Sequence, residues 1–541
     1  MPGSSSTPQE RGEGIVQDSA DWGPQAESLE MELWDVVIAG TGMGGATLGL
    51  VLAEAGRRVL FVEKGLDLSS PSTAALRGGP AEIHAGFQEA RRETLGRAGR
   101  ASAPILDVAG GLQFVPEVGC GTGGSTSLFG AVLERFFPID FTPGEWHHDA
   151  PCSALPEQWP VSYDEMRPWY ARAERLYRVR GGPDPLRAGV NDPLPAATPA
   201  ARALAEALCS RGVHPYPLPL ACESAGECQT CQGYLCPSGC KNDADRIALR
   251  PALARGARLL APCEVAHLEA DRARVRALVC RAQGRSFRLK ARVFVLACGA
   301  LNTPALLLAS CQPHWENGLA NGSGKVGRNL MRHAIDLWVL RGAPPLQAPG
   351  DAKALGFNDL YTCGRSKFGS VQSYGAPPAL EYLRRQPTAS LVWRLGPLSR
   401  WVWRRYSRAP LLASILEDLP YPENRVEPGA DGRPRLQYRP GVSEERRRRA
   451  FRRELRGLLR GLGATLVSGR DAPKALGHAC GTCRFGTDPA TSVLDRDNRA
   501  HQLDNLYVVD ASFFPSSAGL NPALTIAANA LRVGALLAAR L

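Results

Sequence analysis

Asp35-Val-Val-Ile-Ala39, Gly40-Thr-Gly42-Met-Gly-Gly45 and Ala46-Thr-Leu-Gly-Leu-Val-Leu-Ala-Glu-Ala55 are the stretch that decides the fold. The first five residues are short, apolar and β-branched, the composition of a strand buried on both faces of a parallel sheet. They run straight into glycines and then into a helix pattern that Gly56 closes. In such a turn Gly40 permits the sharp reversal, Gly42 lets a pyrophosphate approach the backbone, and Gly45 lets helix and strand pack closely. The helix N-terminus then faces the phosphates. Arg58-Val-Leu-Phe-Val62 reads as the second strand, and Glu63 follows it. An acid about 20 residues past the glycines is where a ribose hydroxyl needs an acceptor. A glycine-rich turn of some other parallel sheet would not explain Glu63.

Working outward, Ala291-Arg-Val-Phe-Val-Leu-Ala297 is a further strand that breaks at Gly299 and opens a helix, and Asn505-Leu-Tyr-Val-Val-Asp510 is another. Between them, roughly 336 to 470, strand-like pieces alternate with proline-rich turns. The pattern predicts a discontinuous α/β nucleotide domain (31–335 and 471–541) holding an inserted α+β substrate domain (336–470). Residues 1–30 lack periodicity and read as a disordered tail.

The 541 residues are 44% hydrophobic and 22% charged, ordinary values for a globular protein. The N-terminus shows no apolar core behind a basic start, and no uninterrupted apolar run is long enough for a bilayer. Arg532, Asn529 and many alanines mark the final 524–539 segment as a buried helix. Fifteen cysteines without a secretory signal favour reduced thiols and a cytoplasmic location. The net charge of +11 is concentrated in 443–460, read as an amphipathic helix with Phe451, Leu455, Leu458 and Leu462 inward and a solvated basic face outward. No nucleic-acid-binding module is evident. Trp393, Trp401, Trp403 and Tyr406 interleave with arginines, which suits peripheral membrane contact as well as a substrate-domain wall or dimer contact.

The chain resembles the glucose-methanol-choline (GMC) oxidoreductases, FAD enzymes that oxidise alcohols, over nearly everything after residue 33. Gly123-Gly124-Ser125-Thr-Ser-Leu-Phe129-Gly130 is similar to the first family signature, with Phe129 where the family often has Asn. Ala297-Cys-Gly299-Ala-Leu-Asn302-Thr-Pro304 is similar to the second, and Trp159-Pro160 and Val326-Gly-Arg-Asn-Leu-Met-Arg-His333 also match habitual segments. Gly477-His478-Ala-Cys-Gly-Thr-Cys483 and Asn521-Pro522 resemble the most specific block. The resemblance implies FAD, bound non-covalently, with Gly40, Gly42, Gly45, Glu63, Gly123, Gly124, Ser125, Val265, Asp510 and Pro522 around it. It implies His478 as catalytic base and Asn521 as its partner, the Asn variant found in cholesterol oxidases. His333 and His501 are left with structural parts.

The chemistry agrees. An alcohol oxidised by hydride loss must also shed its hydroxyl proton, and an imidazole within hydrogen-bond reach is suited to take it. The expected substrate is a small-molecule alcohol, with a bulky apolar alcohol or sterol preferred over a sugar or choline. Oxygen, a quinone or a cytochrome remains open as the electron acceptor. Cys222, Cys228, Cys231, Cys236 and Cys240 crowd a glycine-containing segment, where zinc or an iron–sulfur cluster competes with a loop of unligated thiols, the preferred reading. Cys480 and Cys483 have redox-dithiol spacing; the resembled family commonly has the second cysteine without any thiol chemistry, so coincidence is the preferred reading. Three other readings stay open: a flavin-containing lyase of the same fold, a metal-cluster-bearing sugar or alcohol dehydrogenase, and a pyridine-nucleotide disulfide reductase.

Overall fold

The computed structural model describes residues 29–76, 105–114, 116, 118–148, 150, 153–182, 184–186, 198–223, 235–346, 353–374, 409–430, 432–468 and 476–541. The Trp- and Arg-rich 391–406 segment, most of the N-terminal tail, and Cys228 and Cys231 lie outside these residues.

The expected first strand runs Leu33–Ala39 (β1), the helix after the glycines runs Met43–Glu54, and the second strand is Val59–Val62 (β2). Arg258–Leu260 (β3), Glu264–Ala270 (β4), Val275–Ala282 (β5), Arg285–Leu296 (β6) and Leu506–Val508 (β7) complete a seven-stranded sheet. The order is β3-β2-β1-β6-β5-β4, with β7 also paired to β6. β3, β2, β1, β6 and β7 are mutually parallel, whereas β5 pairs antiparallel with β4 and β6. The sequence of β6 shows the change of environment. Arg285-Ser-Phe-Arg-Leu-Lys alternates exposed polar with buried apolar residues, and Val293-Phe-Val-Leu296 is buried throughout. Its first half faces water on one side of the antiparallel ladder; its second half lies inside the parallel sheet, covered on both faces.

The Ala523–Arg540 helix packs against Met43–Glu54 and Tyr163–Leu176. It is long and apolar enough to cross a membrane, yet most of it is buried in this core. Its polar residues are held internally: Asn529 Nδ2 donates to Asn498 Oδ1 at 3.0 Å, and Arg532 Nη2 donates to Arg496 O at 2.7 Å.

A second, six-stranded sheet has the order Ala464–Ser468, Ala334–Leu340, Leu411–Leu416, Val371–Ser373, Leu355–Phe357, Tyr216–Pro217. The helices Pro199–Cys209 and Val442–Leu458 bring Leu204, Leu208, Phe451 and Leu455 into one cluster with Trp338, Phe357 and Leu412 of this sheet. The basic helix therefore turns its expected apolar face inward. Its arginines do not all lie on a solvated face: Arg447 and Arg448 are buried. Asp336 on the neighbouring strand takes Arg448 Nη2 at 2.8 Å and Arg452 Nε at 2.6 Å, which corrects the sequence reading. A periodicity argument cannot see an acid that another strand supplies.

Candidate active site

The glycine turn is built as its sequence requires. Gly40 adopts φ +96°, and a Cβ on Gly45 would lie 2.1 Å from Gly40 O and 2.9 Å from Ala297 Cβ. Gly45 thus permits the contact of helix with β1 and with the residue after β6. Gly42 is different: the nearest atom to a Cβ there is Gly124 Cα, at 3.9 Å. The space above Gly42 is open, and no described side chain caps the helix that starts beside it. Uncapped N–H groups at a helix N-terminus over an open backbone fit a pyrophosphate. The Gly123-Gly124-Ser125 loop faces the same turn, because a Cβ on Gly124 would come 2.9 Å from Gly42 Cα. Lys241 supports this loop by donating from Nζ to Ser127 O at 2.9 Å, with Phe129 beneath its ammonium.

Glu63 stands at the end of β2 with four protein donors on its carboxylate. Thr41 Oγ1 (2.6 Å) and Thr41 N (3.1 Å) reach Oε2, while Gly65 N (2.9 Å) and Gly121 N (3.3 Å) reach Oε1. A carboxylate offers about four lone-pair sites, so a ribose hydroxyl would share or displace one of these donors. Val265 lies just past Cys263, whose N–H donates to Glu63 O at 2.7 Å. Asp510 is equally committed. Its Oδ2 accepts from Gly299 N (2.9 Å) and Thr303 Oγ1 (2.5 Å), and its Oδ1 accepts from Ser512 N (2.9 Å) and Ser512 Oγ (2.5 Å). It caps the Ala511–Phe513 turn and ties it to the Gly299–Ala309 helix. Burial pushes its pKa up, partly offset by these four donors.

His478 and Asn521 meet: Asn521 Nδ2 is 3.4 Å from His478 Nε2. Asn521 Oδ1 is buried with no partner among the described residues, an orphaned acceptor that would fit a substrate hydroxyl. Pro522 follows directly and precedes the Ala523–Arg540 helix. His478 holds φ +61°, a left-handed backbone that non-glycine residues adopt sparingly. Its segment is held against a neighbouring one, with Met331 bridged to Cys480 and His333 N donating to Gly477 O at 3.2 Å. That pairing brings in a residue the sequence reading left structural: His333 Nδ1 lies 2.8 Å from His478 Nδ1. Desolvation lowers the pKa of both imidazoles, that of His478 well below 6.5, with His333 and Lys353 adding to the effect. Nothing in the sequence connects the two histidines except that each sits in a recognisable segment.

The loop that ends in Asn521 is fastened along its length. Trp159 Nε1 donates to Ser516 Oγ at 2.7 Å, Ser517 Oγ to Asp418 O at 3.0 Å, and Gly519 N to Tyr361 Oη at 3.0 Å. His501 stands apart, 2.8 Å from Ser492 Oγ. Cys480 and Cys483 are buried thiols whose pKa burial raises, the opposite of a reactive dithiol. Cys236 and Cys240 have Sγ atoms 3.5 Å apart, and Cys222 is bridged to Lys241. Among the described residues no three His, Cys, Asp or Glu side chains are grouped to hold a metal ion.

Comparison with known proteins bears on this arrangement. GMC oxidoreductase family profiles match residues 60–335 and 431–530. The chain is 32% identical to 6'''-hydroxyparomomycin C oxidase of Streptomyces lividus, over 94% of this chain and 92% of that protein. It is 31% identical to paromamine 6'-oxidase of Streptomyces fradiae, over 92% and 90% respectively. A crystal structure of pyridoxine 4-oxidase from Mesorbium loti shares the fold, with a TM-score of 0.64 at 22% identity, covering 93% of this chain and 99% of that one. The chain belongs to the GMC oxidoreductase family and is an enzyme that acts on CH–OH groups.

Proposed function

We propose that the chain binds FAD non-covalently between the Gly40–Gly45 turn and the Gly123-Gly124-Ser125 loop and oxidises an alcohol with His478 as base. The observation that carries this is the pairing of His478 Nε2 with Asn521 Nδ2 at 3.4 Å, beside the orphaned Asn521 Oδ1. In this reading residues 31–335 and 471–541 hold the nucleotide, apart from the Pro199–Cys209 helix and the Tyr216–Pro217 strand, which join 336–470 in the sheet that faces the substrate. Gly42 and the neighbouring helix N-terminus take the pyrophosphate, Glu63 and Val265 border the adenosine part, and Asp510 and Pro522 set the backbone near the flavin. The bound flavin supplies the acceptor for the hydride that leaves the alcohol carbon. His478 Nε2 takes the hydroxyl proton, and Asn521 orients the same oxygen.

The two aminoglycoside-oxidase relatives support a polar, multiply hydroxylated amino-sugar alcohol as substrate, and their oxidase names support oxygen as acceptor. The His–Asn pair equally suits a sterol or another bulky apolar alcohol, so both classes belong in the assay. The test is anaerobic flavin reduction by purified holoenzyme across aminoglycosides, simple sugars, sterols and fatty alcohols. One class should bleach the flavin in the parent, and His478→Ala should slow that reaction by about a hundredfold to ten-thousandfold with FAD retained. Rates within about threefold of the parent would remove His478 as the base.

A further inference from the structure

We propose that His333 is a positioning residue: it fixes the tautomer of His478, so that the lone pair of His478 Nε2 is the one offered to the substrate hydroxyl. This deepens the reading of His478 as base and rests on it. Two backbone carbonyls set the position of the first hydrogen. His333 Nε2 lies 2.9 Å from Ala518 O and 3.2 Å from Ser517 O. Carbonyl oxygens only accept, so Nε2 carries a hydrogen and donates it. A neutral imidazole has one N–H, and burial keeps His333 neutral. Its Nδ1 is therefore an acceptor. The atom facing that Nδ1 at 2.8 Å is His478 Nδ1, which must donate. His478, neutral and buried in turn, is left with a bare Nε2. Asn521 completes the sequence consistently, since its amide Nδ2 is a donor aimed at that nitrogen.

The reverse assignment fails at both ends. With its hydrogen on Nδ1, His333 would turn a lone pair toward two carbonyls in a buried site. His478 would then have to accept at Nδ1, carry its hydrogen on Nε2 and have no basic nitrogen for the substrate. In the proposed state the alcohol O–H bond breaks as the Nε2–H bond forms, and the imidazolium keeps its Nδ1–H on His333 without turning the ring. His333 orients this base without neutralising the charge, as a carboxylate would. The charged and titratable groups that act on the pair are Lys353 on His478 and Glu417 on His333. The same Ser517 and Ala518 carbonyls tie His333 to the loop that carries Asn521, so base and partner share one anchor.

The test uses FAD-loaded enzyme with ¹⁵N-labelled histidine, the His478 signals being identified by their loss in His478→Gln. At neutral pH His478 should show a protonated Nδ1 and an unprotonated Nε2. A proton on Nε2 overturns the proposal whatever the kinetics. His333→Asn and His333→Leu add the kinetic arm, because the Asn carbonyl can still accept from His478 Nδ1 and Leu cannot. His333→Leu should slow flavin reduction about tenfold to a hundredfold, with KM changed less than about threefold, and should distort the acid limb of the pH profile. His333→Asn should recover most of the rate and the parent profile. Equal slowing in both variants, or in neither, overturns the positioning role. If His478→Ala keeps the parent rate, the base reading fails whatever the tautomer. If His478→Ala is slow and the tautomer is wrong, this inference alone fails.

Discussion

An imidazole buried beside a second imidazole and near Lys353 loses basicity, and in the proposed reading this sets where the enzyme works. His478 acts only when neutral, and its pKa lies well below 6.5 because desolvation disfavours the cation. The acid limb of kcat/KM should therefore fall well under pH 6.5, measured by steady-state rates from pH 4.5 to 8; a limb at or above 6.5 would contradict the burial. Stability should follow the same groups. In His333 and His478 the folded pKa is depressed below the unfolded value, so below about pH 6.5 the unfolded chain binds more protons. Stability is then fully present above that value and declines as pH falls, by up to about 1.4 kcal/mol per pH unit per histidine. Urea titrations between pH 8 and 5 should show the decline, and His333→Leu should flatten it. The sequence singled out His478 and Asn521 as candidates through the motif that resembles the family's. It could not expose His333 as a partner, because a contact across 145 residues leaves no periodicity to read.

Elements were legible in proportion to how far their own residues decide them. β1, the Met43–Glu54 helix and β2 came directly from an apolar run, glycines and an acid, and the pattern of β6 records its passage from antiparallel to parallel pairing. The Val442–Leu458 helix was half legible. Its apolar stripe was evident, but the fate of its arginines depends on Asp336 of the Ala334–Leu340 strand. Burying a charge is tolerable only when it is paired and hydrogen-bonded. Asp336→Ala would leave the Arg448 guanidinium buried with its carboxylate removed and should cost about 3–5 kcal/mol. Arg453→Ala, on the exposed side of the same helix, should change stability by less than about 0.5 kcal/mol. Chemical denaturation of the two variants decides it; similar costs would mean that Arg448 is solvated after all.

At the scale of the whole molecule, the candidate site depends on contact between two sheets that the sequence shows only as separate segments. The loop bearing Asn521 is pressed against the loop before the Val371–Ser373 strand. A Cβ on Gly519 would lie 2.4 Å from Gly369 Cα, and Ser370 N donates to Gly519 O at 3.0 Å. Gly519 is a glycine because two backbones touch there, and at Gly369 a Cβ would also lie 1.9 Å from Ile415 O; neither reason is visible until the segments are assembled. Gly519→Val must force the loops apart and shift Asn521 relative to His478. A displacement of about 1 Å can cost on the order of a hundredfold in rate, so flavin reduction should fall by about tenfold to a hundredfold. The proposed pyrophosphate cradle of Gly40, Gly42, Gly45 and Gly123–Ser125 shares no residue with this contact, so flavin content should persist even though Pro522 lies close by. Gly42→Leu should do the reverse, filling the space above the turn and stripping FAD. Flavin absorbance per chain and anaerobic reduction rate, measured on both variants, separate the two loci. If Gly519→Val loses FAD while Gly42→Leu keeps it, the assignment of the pyrophosphate to the Gly42 turn is wrong.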